Sequence, residues 1–159
     1  MKYRILIVDD DGMNLTSTRY LVEDWGYHVE TAQSGDEAIL RVKLAAEPFA
    51  IVIMDYHMPG KSGSDAAREI RDLCPESIVL VYSGDDSREA LKDSYRAGAV
   101  DFIEKNEDTG ALRRTLELHC RKYEETRRTL RPSAQKSGAE ALIASIGMVG
   151  RSPLMAEIA

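Results

Sequence analysis

A doubly wound α/β sandwich, with five parallel strands in the order 2-1-3-4-5 and helices on both faces, is the fold this sequence predicts. Three observations carry the prediction. Over the first 120 residues, short β-branched runs alternate with helix-like stretches, the pattern of consecutive βαβ units. Two of the runs, Ala50 to Met54 and Ile78 to Tyr82, are apolar almost throughout, as central strands covered on both faces must be. The connections are short, and right-handed crossovers between five such strands lead to the stated order. A chain of 159 residues, 43% hydrophobic and 30% charged, has room for a substantial core and the balance of an ordinary globular protein.

The elements follow in order. Arg4 to Val8 reads as the first strand and runs into Asp9, Asp10 and Asp11, the last of these suited to a helix N-cap. Gly26 sits where that helix should end, ahead of a second strand, His28 to Ala32. Ser34 with Glu37 forms a capping box before Ala38, Ile39 and Val42. After the third strand, Ser62 or Ser64 is placed to cap a helix over Ala66 to Leu73, and Asp86 with Glu89 suggests another start ahead of Leu91. Gly98 ends that helix, and Val100 to Ile103 is the fifth strand.

The last helix is expected from near Glu107 to Leu130, before Pro132. Leu116, Tyr123 and Leu130 recur every seven residues, while Leu112, His119 and Thr126 fill the alternate heptad position poorly. A coiled coil and an amphipathic helix with a solvated end are both open on this pattern. Pro132 to Gly138 reads as a linker, followed by an apolar stretch, Ala139 to Val149.

Charge is uneven: residues 1–120 carry a net −9 and residues 121–159 a net +3. The acidic body repels nucleic-acid phosphates, so no direct nucleic-acid contact is expected from it. Cys74 and Cys120 form no close pair, and His28, His57 and His119 are scattered, so neither a disulfide framework nor a zinc site is expected. No apolar run approaches membrane-spanning length and no signal-peptide pattern opens the chain, which makes no membrane association and a cytoplasmic location the defaults.

In an open parallel sheet, ligands bind beyond the carboxyl ends of the strands, where strand order reverses. There the proposed order gathers Asp9, Asp10, Asp55, Ser83 and Lys105. Three convergent carboxylates repel one another unless a cation intervenes, and magnesium, an oxygen-seeking ion that keeps waters and phosphate oxygens in its shell, suits them. Asp55 can then act as a nucleophile toward phosphorus, with Lys105 and the Ser83 hydroxyl meeting the charge of the transferring group.

ILIVDDD at 5–11, IVIMDYHMPGKSG at 51–63, VYSG at 81–84 and DFIEK at 101–105 resemble the signatures of the receiver domain of two-component response regulators, in order and at ordinary spacing over about 120 residues. The resemblance implies a flavodoxin-like (βα)5 fold with an extended C-terminal helix. It implies that Asp55 accepts a phosphoryl group from a sensor histidine kinase. Asp10, Asp55 and the His57 backbone carbonyl would be direct magnesium ligands, with Asp9 acting mainly through water. Ser83 and Lys105 would bind the phosphoryl group, and Phe102 would be a switch residue turning inward as Ser83 moves. The face made by helix four, strand five and helix five would carry the output, with only self-catalysed phosphoryl transfer and loss and no conventional enzyme activity. Asn106 stands where the family usually has proline. That puts coupling to the last helix in doubt. His57 and Asp85 occupy positions that in the family tune phosphate loss.

MVGRSPLMAEIA at 148–159 is similar to the opening of the AAA+ domain of sigma-54-dependent activators of the nitrogen-regulation type. The resemblance implies a receiver at 1–122, a helical or flexible linker at 123–147 and the start of a truncated ATPase domain at 148–159. It also implies a homodimer through the output face and linker, and downstream ATPase and DNA-binding domains. No G-x-x-x-x-G-K-[ST] phosphate loop occurs in the chain. Two alternatives were weighed against the receiver. Asp9-Asp10-Asp11-Gly12 fits the D-x-D-G motif of a haloacid-dehalogenase-type phosphatase, with Asp9 as nucleophile and Asp11 as acid, although Met13 replaces the expected threonine. The other is a receiver-like interaction module that works without phosphate.

Overall fold

In the structure, a computed structural model, residues 3–85, 87–105 and 109–130 are described. Five strands, β1 (Arg4–Val8), β2 (His28–Ala32), β3 (Ile51–Met54), β4 (Ile78–Ser83) and β5 (Asp101–Glu104), alternate with five helices, α1 (Gly12–Asp24), α2 (Gly35–Leu44), α3 (Gly63–Leu73), α4 (Arg88–Arg96) and α5 (Thr109–Leu130). The strands pair in parallel in the order β2-β1-β3-β4-β5, the predicted topology. The described chain divides after Tyr123: the α/β body is one unit, and the helical segment 124–130 belongs to a second.

Side-chain alternation in the buried strands builds two cores. Ile5, Ile7, Ile51 and Ile53 face Leu15 and Val22 of α1 and Leu112, Leu116, Cys120 and Tyr123 of α5. Leu6, Val8, Val52 and Met54 face Ala38 and Ile39 of α2 and Ala66, Ala67 and Ile70 of α3. Burial on both faces is the physical reason that β3 has no polar residue and β1 none after Arg4.

Helix starts follow the expected chemistry, with one correction. Asp11 caps α1, accepting from the Met13 and Asn14 amides, and Ser34 caps α2, accepting from the Glu37 amide. The Glu37 carboxylate reaches back to the Gln33 amide at 2.9 Å. Of the two serines proposed for α3, Ser62 is the cap and accepts from the Asp65 amide, while Ser64 lies inside the helix. Ser87, not Asp86, caps α4: its hydroxyl accepts from the Ala90 amide three residues on, the reach that satisfies an unpaired first-turn donor. Gly26 and Gly98 close α1 and α4 with φ of 100° and 103°.

The heptad trace in α5 has a local explanation over its first half. Leu112, Leu116, His119 and Tyr123 are all buried in the α/β body. These side chains are committed to their own sheet and are not available to a second helix. Asn106, Glu107 and residues 131–159, which include the linker and the ATPase-like tail, lie outside the described residues. Among the described residues, no helix is long and apolar enough to cross a membrane.

Candidate functional site

Parallel register brings the acidic residues together. Val8 of β1 pairs with Met54 of β3, so Asp9 and Asp55 leave adjacent strands side by side. Their backbones are pinned there: the Asp55 amide donates to the Val8 carbonyl at 2.9 Å and the Asp9 amide to the Ala32 carbonyl at 3.1 Å. Asp9, Asp10 and Asp55 each offer a carboxylate oxygen, all within 4.8 Å of one another. Asp9 and Asp55 are buried and Asp10 is exposed, leaving the cluster open on one side.

Lys105, just past β5, projects into this cluster. Its Nζ lies 2.7 Å from Asp9 Oδ2 and 3.5 Å from Asp55 Oδ1. The other Asp9 oxygen accepts the Asp11 amide at 2.9 Å. Asp9 is thus occupied at both oxygens.

One ammonium does not balance three carboxylates, and Asp55 carries the consequence. Burial, helped by the charges of Asp9 and Asp10, pushes its carboxyl from the ordinary 3.8 up to about 6, although Lys105 pulls the other way. Burial alone would lower Lys105, but the hydrogen bond to Asp9 and the charges of Asp55 and Asp9 outweigh it and hold the ammonium above its ordinary value. The donors are hard oxygens carrying excess negative charge, partly open to solvent. That set fits magnesium and does not fit a soft, thiolate-preferring metal.

Ser83 ends β4, buried, with its hydroxyl accepting the Asp85 amide at 3.1 Å. The Lys105 amide donates to the Ser83 carbonyl at 2.9 Å, tying the hydroxyl-bearing and lysine-bearing strand ends together. Phe102 lies on β5 opposite Val81 and is half-buried. The His57 imidazole is exposed, packs edge-on against Tyr56 with centroids 4.7 Å apart, and pairs through Nε2 with Asp85 Oδ2 at 2.5 Å. Asp85 carries a strongly acidic carboxyl, at about 2, because it accepts from Ser87 and from His57.

The loop after Asp55 closes tightly on itself. The Gly63 amide donates to the Tyr56 carbonyl at 3.0 Å. A Cβ at Gly63 would lie 2.2 Å from the Asp55 carbonyl oxygen and 2.9 Å from Tyr56 Cα. Both are backbone atoms and cannot swing aside. Gly63→Ala is expected to cost roughly 1–3 kcal/mol by overpacking and to shift Asp55 from its neighbours. A urea melt alongside a magnesium titration checks both effects.

Four residues at this end of the molecule, Tyr56, Ser64, Arg68 and Asp93, form a cluster that no local sequence pattern predicts. The Tyr56 hydroxyl donates to Asp93 Oδ2 of α4 at 3.0 Å, and the buried Ser64 hydroxyl donates to the same oxygen at 2.5 Å. Arg68 Nη2 lies 3.8 Å from Asp93 Oδ1. These partners are 25 to 37 residues apart in sequence, and a local pattern carries no signal for them. The only available hint was the scarcity of apolar residues in α4. Asp11, the acid of the phosphatase alternative, serves instead as the α1 N-cap.

The carboxylate cluster is distinct from two grooves on the described surface. Grooves of about 510 and 490 Å³ lie along Arg4, Glu37 and Arg41 and along Pro48, Leu73 and Cys74, away from it. Lys105 instead borders a recess of about 180 Å³ with Asn14, Ser17, Thr18, Leu21, Tyr82 and Thr109.

The family model of the response regulator receiver domain matches residues 5–117. The chain is 34% identical over 154 residues to the transcriptional regulatory protein ZraR of Salmonella typhimurium, covering 97% of this chain and 33% of ZraR. It therefore spans about a third of the length of the curated relative it matches. Among solved structures, a CheY-like receiver domain protein from Methanospirillum hungatei superposes with a TM-score of 0.74 at 28% identity, covering 79% of this chain and 99% of that one. NtrX from Brucella abortus, solved in complex with ADP, superposes with a TM-score of 0.74 at 27% identity, covering 81% of this chain and 29% of NtrX. The matched family spans the whole sheet and every member of the carboxylate, serine and lysine cluster, so the chain belongs to the response regulator receiver domain family.

Proposed function

We propose that Asp55 is the phosphoacceptor of this receiver, that magnesium is its cofactor, and that a sensor histidine kinase is its phosphodonor. The observation that carries the reading is the cluster of Asp9, Asp10 and Asp55 within 4.8 Å, closed on one side by Lys105. Asp10, Asp55 and the His57 carbonyl are the proposed direct ligands, with Asp9, already bonded at both oxygens, acting through water. Bound magnesium supplies Lewis-acid neutralisation of phosphoryl oxygens.

The chain's own groups do the rest. An Asp55 carboxylate oxygen forms the new O–P bond as the P–N bond of a phosphohistidine breaks, and the electron pair leaves with the imidazole, which takes up a proton. Lys105 moves its charge toward the transferring oxygens, and Ser83 turns its hydroxyl from the Asp85 amide to donate to one of them. The burial that raises Asp55 also removes water that would compete with the donor. In autodephosphorylation a water oxygen forms the new O–P bond as the Asp55 O–P bond breaks, releasing inorganic phosphate and restoring the carboxylate, with His57 and Asp85 proposed to tune the rate.

Beyond Asp55, Phe102 is proposed as the residue that follows Ser83, and the α4, β5 and α5 face as the output surface. The likeness to a transcriptional regulatory protein over a third of its length supports a receiver at 1–122 placed before a linker at 123–147. The segment 148–159 is proposed to open an AAA+ domain of a sigma-54-dependent activator, itself followed by a DNA-binding domain, with a homodimer formed through the receiver and linker.

The test is phosphorylation by a small donor. With acetyl phosphate and magnesium, the intact mass should rise by one phosphoryl group, and chelation of magnesium should abolish the gain. An equal gain under chelation would exclude the metal-assisted reading.

A further inference from the structure

α4 is the helix least anchored by apolar contact. Of its nine residues only Ala90 and Ser94 are buried, while Leu91 and Tyr95 remain exposed. α3 by contrast buries Ala66, Ala67 and Ile70. Two small side chains contribute little hydrophobic free energy, so polar contacts must do much of the docking. They converge on one carboxylate: Asp93 accepts the Tyr56 hydroxyl at 3.0 Å and the Ser64 hydroxyl at 2.5 Å, with Arg68 at 3.8 Å from its other oxygen.

Tyr56 directly follows the acceptor Asp55, and its own carbonyl is held by the Gly63 amide. Its neighbour His57 reaches Asp85, in the connection between β4 and the Ser87 cap. Two consecutive residues beside Asp55 therefore strap the acceptor loop to carboxylates on either side of the α4 N-terminus. In the proposed function Ser83 turns away from the Asp85 amide to meet a phosphoryl group, and Ser83 lies only four residues before Ser87, the cap of α4. A helix pinned at Asp93 resists that movement.

We propose that Asp93 is a latch: by accepting the Tyr56 and Ser64 hydroxyls it holds α4 against the acceptor loop, and phosphoryl binding at Asp55 proceeds against this hold. The coupling half rests on Asp55 being the phosphoacceptor. Tyr56, Ser64 and Asp93 are positioning residues, since none of them touches the reacting atoms. Linkage fixes the sign: whatever favours the unliganded arrangement weakens the ligand, so releasing the latch must tighten it.

The experiment uses the full chain with Tyr56→Phe and, separately, Asp93→Ala, which removes the acceptor. Hydrogen exchange of the metal-free protein reads the latch alone. In both variants the amides of residues 88–97 should exchange about 5-fold faster or more, with α1 and the sheet unchanged, as expected for one lost hydrogen bond to a charged acceptor. Calorimetric titration with beryllium fluoride in saturating magnesium reads the coupling, and the apparent Kd of Tyr56→Phe should fall by about 3-fold or more. A merely structural role predicts unchanged or weaker binding. Unchanged α4 exchange in both variants overturns the latch, and unchanged or weakened beryllium fluoride affinity overturns the coupling. A wild-type chain that binds no beryllium fluoride overturns the phosphoacceptor reading and the coupling with it, while the exchange data still decide the latch.

Discussion

Replacing Asp55 by asparagine is expected to stabilise the metal-free protein at about pH 8 and, on the proposed function, to abolish its phosphorylation. The sign follows from the raised carboxyl. In the folded protein Asp55 titrates at about 6, against 3.8 ordinarily, so the folded state holds its proton more tightly than the unfolded chain. Below about pH 4 both states are protonated and the site costs nothing. As the pH rises through the interval the folded state is progressively penalised, and above about 6 the penalty is complete. A shift of this size corresponds to at most about 3 kcal/mol, and relaxation and water at the open side of the site reduce it. Asparagine keeps the shape without the charge. Chemical denaturation in chelator should show the variant more stable by about 1–3 kcal/mol near pH 8 and indistinguishable near pH 4. Magnesium should stabilise the wild type much more than the variant, narrowing the gap.

Lys105→Ala acts in the opposite direction. It removes the one cation paired, among the described residues, with buried Asp9 and Asp55, at 2.7 and 3.5 Å, and leaves uncompensated charge behind. Breaking a largely buried pair by deleting one partner costs roughly 3 kcal/mol. That loss should be greatest without magnesium, because a divalent ion supplies countercharge to the same carboxylates. Thermal or urea melts with and without magnesium read the difference. Phosphorylation from acetyl phosphate should slow by about 10²-fold or more, the usual consequence of removing one preorganised charge from the transferring group. A variant as stable as wild type in chelator would mean that Lys105 is not the countercharge of the acidic cluster.

Much of this site was legible in the sequence, for a physical reason. Strands buried on both faces must be apolar, so the first polar residue after each run marks the sheet's ligand-bearing edge. Asp9, Asp55 and Ser83 were found that way, Lys105 one residue further on past Glu104, and the 2-1-3-4-5 order made them neighbours. Helix caps were legible only to within a residue or two. Ser62 and Ser64, or Asp86 and Ser87, are short oxygen-bearing side chains equally able to cap, and the backbone path decides between them. That choice has a consequence at Ser64, whose freedom from capping lets it donate to Asp93. The seven-residue spacing in α5 was ambiguous because a sheet-facing stripe and a coiled-coil seam share it. Burial of Leu112, Leu116 and Tyr123 resolves it over that part of the helix. The Tyr56, Ser64 and Asp93 cluster was invisible because it joins three segments through tertiary packing alone.

The proposed phosphoacceptor is one carboxylate among three that lie within 4.8 Å of one another. Trapping the acyl phosphate after treatment with acetyl phosphate and magnesium, by borohydride reduction and peptide mass mapping, distinguishes them. The modification is expected on Asp55 alone, and to be absent from Asp55→Asn. Modification of Asp9, or undiminished modification of the Asp55→Asn chain, would contradict the account.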